Sequence, residues 1–227
     1  MVDSRALDEV PHSEVAHTAA APTGGRREQR KQRTRRAVLD AALNLLEEHA
    51  FEGLSLRQVT RTVGIVPTAF YRHFDDMDAL GIELVDESVG TLRRMIRAAR
   101  EEDPDYGVVI ERSVQLLVGH VHAHRPHFRF IVRQRFSGVA AVRLAIREQF
   151  ELFVAELATD LQRFGLLTHW PLADRLLLAD IIVNQMISTA EAILDMPPDD
   201  PTAEQQVIDR AERQLRMIVI GLSRWKT

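Results

Sequence analysis

Leu54-Ser55-Leu56-Arg57-Gln58-Val59-Thr60-Arg61-Thr62-Val63-Gly64-Ile65-Val66-Pro67-Thr68-Ala69-Phe70-Tyr71-Arg72-His73-Phe74 is the stretch that decides the fold. Ser55 and Gln58 have the spacing of a capping box, in which hydroxyl and amide each satisfy an orphan backbone N–H at a helix start. A helix over 56–63 follows. Gly64 stops it, because a residue without Cβ enters the left-handed conformation at little cost. Pro67 suits the first position of another helix, expected over 68–74, since its fixed φ is already helical and its missing N–H is not needed there. Two short helices joined by a Gly-containing turn of about four residues form a helix-turn-helix.

On the N-terminal side, Thr34 is a candidate cap for a first helix reaching about His49, with Ala37, Leu39, Ala41, Ala42, Leu45 and Leu46 as its apolar stripe. Arg26 to Arg36 holds seven basic residues and one acid, Glu28. Residues 1–25 show no apolar period and are expected to be a disordered tail. Charge divides the chain. Residues 26–74 carry ten Arg/Lys against five Asp/Glu, whereas the whole chain has a net charge of −4. A basic module on an acidic body suits a phosphate backbone, because neutralising phosphates releases counterions.

On the C-terminal side, Asp76 is a candidate cap for a fourth helix to about Arg100. Pro104, Pro126, Ser137-Gly138, Gly165 and Pro197-Pro198 then separate helices expected near 106–124, 127–135, 139–164 and 172–194, with a last one at 203–225. The fold class is all-α. A basic arm and helix-turn-helix domain spans 26–75, and a larger ligand-binding and dimerisation domain spans 76–227.

The 45% hydrophobic content supplies a sizeable core, and no uninterrupted 20-residue apolar run calls for a membrane. The chain has no cysteine, which excludes disulfides and thiolate metal sites and makes a reducing cytoplasm the expected compartment. It has no Gly-rich phosphate loop, nucleophile elbow or paired-carboxylate motif, so an enzyme is not the expected class.

The stretch Leu54–Val59 followed by Val63–Phe74, ending Tyr71-Arg72-His73-Phe74, resembles the DNA-binding domain of the TetR family of regulators. Phe74-Asp75-Asp76-Met77-Asp78-Ala79-Leu80-Gly81, Leu84-Val85-Asp86-Glu87-Ser88, Phe128-Arg129, Arg133-Gln134-Arg135 and Gln214-Leu215-Arg216-Met217-Ile218 are further similar to its branch that represses unsaturated fatty-acid synthesis (FabR- and DesT-like). The likeness runs over about residues 28–226. Met77 stands where many members carry a Lys, so it is assigned no phosphate contact. The resemblance implies a homodimer on a near-palindromic double-stranded DNA operator, with long-chain acyl-CoA as effector, no cofactor, no metal and no membrane.

In the third helix Phe70 and Phe74, four apart, can face the core, leaving Thr68, Ala69, Arg72 and His73 outward. Thr and Ala methyls can touch thymine, Arg72 can bond guanine or phosphate, and Tyr71 and His73 can reach phosphates. The bland alternative for Tyr71 and His73 is packing or solvation. Thr34, Arg35 and Arg57, near helix starts, are further phosphate candidates. Arg30, Lys31 and Arg33 belong to an arm that either follows the DNA or is simply solvated.

Three helix faces offer an apolar lining: Ile110, Leu116, Leu117 and His120; Phe150, Phe153 and Leu157; Ile182, Gln185, Met186 and Thr189. They make either a ligand pocket or a plain packed core. Arg125, Arg129 and Arg133, four apart, form either a solvated stripe or a landing site for coenzyme A phosphates. His120, His122, His124 and His127 lack an acid or thiol at ligand spacing, which weighs against a metal. The last two helices are expected to form the dimer interface, setting the recognition helices about 34–36 Å apart. Another hydrophobic ligand, such as a drug, is the alternative effector.

Overall fold

A computed structural model describes residues 23–102, 106–136, 138–163, 167, 169–197 and 200–222. No strand occurs among them. The elements are α1 (Thr23–Glu48), a 3-10 turn (Phe51–Gly53), α2 (Leu56–Val63), α3 (Pro67–Phe70), α4 (Met77–Val85), a π turn (Asp86–Gly90), α5 (Thr91–Glu102), α6 (Tyr106–Ala123), α7 (Arg125–Gln134), α8 (Ala140–Arg163), α9 (Leu172–Asp195) and α10 (Pro201–Gly221). Pro104, Gly165, the acidic tail up to residue 22 and the expected last turn to Trp225 lie outside the described residues.

The head of the molecule is built by its punctuation. Ser55 Oγ accepts from Gln58 N at 3.3 Å, and Gln58 Oε1 accepts from Ser55 N at 2.9 Å, so the capping box is complete. Gly64 closes α2 at φ 75° and Pro67 opens α3. Val38, Ala42 and Leu46 of α1 are buried with Val59 of α2 and with Phe70 and Phe74, whose rings lie 5.4 Å apart. Asp76 caps α4 by accepting from Ala79 N at 2.7 Å.

Five boundaries differ from the sequence expectation. Pro126, expected as a corner before a helix at 127, lies in the first turn of α7, which starts at Arg125. α1 starts at Thr23, not Thr34, and so includes residues 23–25 of the expected tail. Arg, Lys, Gln and Glu are good helix formers, so the basic run prolongs the helix. Thr34 is inside it, its hydroxyl donating to the Arg30 carbonyl at 3.1 Å. α3 ends at Phe70, and Tyr71–His73 continue as a hydrogen-bonded turn. The expected fourth helix is interrupted by the π turn. Finally, α10 begins at Pro201 because Asp200 caps it, accepting from Thr202 N and Ala203 N at 3.0 Å each.

In the body, α9 packs against α6, α8 and α10, and α5 lies beside α6 and α8. By length and composition α9 would suffice to cross a membrane, but charged Asp174, Arg175 and Asp180 punctuate it, and Leu178, Ala179, Val183, Ala190 and Ile193 join this packing. The head is fastened to the body by several contacts, the pair of Arg36 with Glu87 in the π turn among them. The Phe51 and Phe130 rings meet at 5.4 Å, Arg133 Nη1 donates to the Leu46 carbonyl at 3.0 Å, and α4 carries fully buried Leu80 and Leu84 from one to the other.

Gly81 marks the tightest point of this junction. A Cβ there would meet Val142 Cγ2 at 2.6 Å and Phe51 Cζ at 2.7 Å. Gly81→Ala is therefore expected to destabilise the chain by about 1–3 kcal/mol through overpacking. Urea denaturation of the two forms checks it.

Candidate nucleic-acid interface and ligand cavity

The reading surface follows from the burial of Phe70 and Phe74. With those rings inward, Thr68, Tyr71 and Arg72 are exposed and Ala69 and His73 are half-buried. Tyr71 stands edge-on to Phe70 at 5.8 Å between centroids, which orients its phenol outward with 57% of the residue exposed. Val66, just ahead of Pro67, is exposed to 63%. The sequence reading passed over Val66 as a turn residue, yet an exposed methyl pair beside Thr68 suits a thymine methyl.

Arg30, Lys31 and Arg33 are exposed along the N-terminal part of α1, and Arg57 is exposed in the first turn of α2. Arg35 is placed otherwise. It donates to the His73 carbonyl at 3.0 Å, pairs with Glu83 at 2.6 Å and stacks over Phe74 at 4.9 Å, so it braces the end of the turn after α3 against α1 and α4. His73 has its pKa lowered, first by burial and then by Lys31, Arg35 and Arg72. Its imidazole is neutral at pH 7 and registers the positive potential that attracts an anionic backbone.

The body encloses a cavity of about 140 Å³ between α5, α6, α7, α8, α9 and α10. Of the expected lining, Ile110, Leu117, Phe150, Phe153, Leu157, Ile182 and Met186 are present. Leu116, His120, Gln185 and Thr189 are not among the lining residues. Leu116 is half-buried against the core. His120 Nε2 donates to the Ser88 carbonyl at 3.1 Å, Gln185 donates to Gln214 Oε1 at 2.7 Å, and the Thr189 hydroxyl donates to the Gln185 carbonyl at 2.9 Å. Buried polar groups are satisfied locally in this way, not turned into an apolar space.

Arg129 and Arg133 are also apart from this cavity. Arg129 is exposed on α7, while Arg133 holds the C-terminal turn of α1. Arg125 donates to the carbonyls of Ile193 and Leu194 at the end of α9, a favourable site for a cation. What the sequence reading missed is Arg100. It lines the cavity together with Ser113, and these are the two polar side chains among its described lining residues.

The histidines cluster at the joint between head and body. His120 and His124 rings lie 4.4 Å apart, and those of His124 and His127 lie 5.6 Å apart. His122 is turned away, 2.7 Å from Glu204. Among the described residues no group of three or more His, Asp or Glu is arranged to hold a metal. His127 lies 3.4 Å from Glu87 Oε2, but burial, then His124 and Arg36, press its pKa from 6.5 to about 4. The contact is therefore a hydrogen bond from a neutral ring, not an ion pair. Glu87 also pairs with Arg36 of α1.

Comparison with known proteins follows the same division. The family model of bacterial regulatory proteins, tetR family, matches residues 38–84, and that of the Tetracyclin repressor-like C-terminal domain matches residues 106–221. Among solved structures, the fatty acid degradation regulator FadR from Bacillus halodurans aligns with a TM-score of 0.59 at 15% identity, over 83% of this chain and 94% of that one. Reduced NemR from E. coli aligns with a TM-score of 0.60 at 15% identity, over 82% and 97%. PfmR from Thermus thermophilus aligns with a TM-score of 0.58 at 21% identity, over 79% and 97%. At these identities the likeness is one of fold.

Two outcomes are expected. Thr68→Val and Tyr71→Phe should each weaken specific DNA binding by about 1–3 kcal/mol while leaving the melting temperature in place; gel-shift titration checks them. The lowered pKa of His127 makes the unfolded chain the stronger proton binder between its ordinary value of 6.5 and the folded value of about 4. Its contribution to stability is complete above that window and is lost as pH falls through it. His127→Gln should flatten this part of the stability profile, read by urea titrations at a series of pH values.

Proposed function

The chain belongs to the tetR family of bacterial regulatory proteins, and from that premise we propose that it is a homodimeric, cytoplasmic repressor of fatty-acid genes, those of desaturation in particular, with operator affinity modulated by long-chain acyl-CoA. Members of this family are DNA-binding regulators, not enzymes. The relative from Bacillus halodurans, by its name a regulator of fatty acid degradation, agrees in subject with this reading.

The observation that carries the reading is the course of one helix. Val89, in the π turn, belongs to the wall of the apolar cavity. Two residues earlier Glu87 holds Arg36 of α1. A chain entering the cavity has to part its walls, and a displaced Val89 moves the π turn that grips the head. π turns of this kind are common where a helix serves a function. The ligand acts through its differential affinity for two head positions, and a tenfold change in operator binding requires only about 1.4 kcal/mol.

The dimer brings two heads onto a near-palindromic operator about one DNA turn apart. Its supporting feature is an apolar outer face. Leu177 and Ile181 of α9 and Met217 and Ile220 of α10 are exposed at helical spacing. Two such helices from each protomer would form a four-helix interface. A compact hydrophobic effector such as a drug is the second reading. It is favoured by the size of the cavity, which resembles the ~150 Å³ of an apolar site that holds benzene.

The experiment is operator titration in the presence of palmitoyl-CoA, oleoyl-CoA and free coenzyme A, on duplexes selected from random DNA by the protein. Oleoyl-CoA is expected to tighten binding about tenfold and palmitoyl-CoA to loosen it by a similar factor, with no effect of free coenzyme A. Unchanged DNA affinity and unchanged melting temperature with all three remove the acyl-CoA reading and leave the family assignment standing.

A further inference from the structure

The cavity wall is apolar except at Ser113 and Arg100. Arg100, in the last turn of α5, is 7% exposed, and its side chain is 4% exposed. Its Nε donates to Asp160 Oδ2 of α8 at 2.8 Å. Its Nη2 is buried and has no hydrogen-bond partner. A buried donor left unsatisfied costs about 1–3 kcal/mol, and more when it is charged. This donor belongs to a residue of the cavity wall, so an acceptor carried in by a ligand that parts the walls would satisfy it.

We propose that Arg100 reads the ligand's one polar atom, a neutral carbonyl oxygen such as that of an ester, thioester or amide, carried on an otherwise apolar chain. The inference rests on the reading of this cavity as the ligand site and adds the chemistry of its occupant. The charge of the guanidinium is already compensated by Asp160. A ligand carboxylate would place a second anion on the same cation where little water remains to screen the repulsion. A ligand amine, protonated at neutral pH, would bring a second positive charge to the guanidinium. A pure hydrocarbon would fill the space and leave Nη2 unpaired. A carbonyl satisfies Nη2 and adds no charge, and hydrogen bonds from a charged donor are stronger than those between neutral groups. The acyl end of an activated fatty acid has this character, whereas a free fatty acid at neutral pH does not.

Calorimetric titration of the full chain with methyl octanoate, sodium octanoate and nonane separates these cases, because the three share an apolar body and differ at one end. The wild-type protein is expected to bind methyl octanoate about tenfold more tightly than either of the others. In the paired variant Arg100→Met, Asp160→Leu, which removes both members of the ion pair together, nonane should bind as before and the advantage of the ester should vanish. Asp160→Asn, which keeps the fold-neutral shape but uncompensates the guanidinium, should shift the preference to octanoate. Equal wild-type binding of ester and nonane overturns the role of Arg100 while leaving the cavity a ligand site. Octanoate binding best to the wild type overturns it in favour of an anion receptor. Failure of all three, nonane included, removes the ligand site itself.

Discussion

Glu87 holds the two halves of the molecule together. Its carboxylate pairs with Arg36 of the head and accepts from His127 of the body, and it projects from a π turn one residue short of Ser88, whose carbonyl receives His120. Gln149 of α8 donates to Asp86 in the same turn at 3.2 Å. A single irregular turn is thus bonded to α1, α6, α7 and α8. Its helix cannot shift at one end without loading every one of these contacts.

The neighbouring packing differs at the two ends of this stretch. Gly81 lies against Val142 and Phe51 with no space for a methyl group, so the upper part of α4 moves with the head and with the start of α8. Beyond the π turn, α5 lies along the cavity, with Leu92, Ile96 and Arg100 on its wall. One end of the helix is clamped and the other borders a space that a ligand can enlarge. Densely packed interfaces respond to such displacement by switching arrangement, because they do not deform continuously.

Charged side chains serve position as much as recognition. Arg35 has the sequence context of a phosphate contact, yet its three partners fix the turn that carries Tyr71 and His73. Arg125 and Arg133 look like members of an open basic stripe and instead satisfy carbonyls at the ends of α9 and α1. Arginine suits this work because its rigid fork bonds several acceptors at once. Arg30, Lys31, Arg33, Arg57 and Arg72 stay exposed on the head.

Within the sequence itself, the punctuation of the helix-turn-helix was legible, because it depends on neighbours a few residues apart. Ser55 with Gln58, Gly64, Pro67, Asp76 and the Phe70–Phe74 spacing determine caps, turns and an inward face, and these place Thr68, Tyr71 and Arg72 on the outside. The apolar stripes were legible too, so Ile110, Leu117, Phe153 and Met186 were found without coordinates. The start of α1 was not, because a charged run with high helix propensity has no apolar period to announce it. Nor was the role of Arg100, which reads as an ordinary basic residue beside Glu101 until Asp160, sixty residues away, is folded against it. The same holds for Arg36 and Glu87 across 51 residues. Local backbone chemistry selects the elements, but only the meeting of their faces decides which charges become paired and buried and which donor is left without a partner.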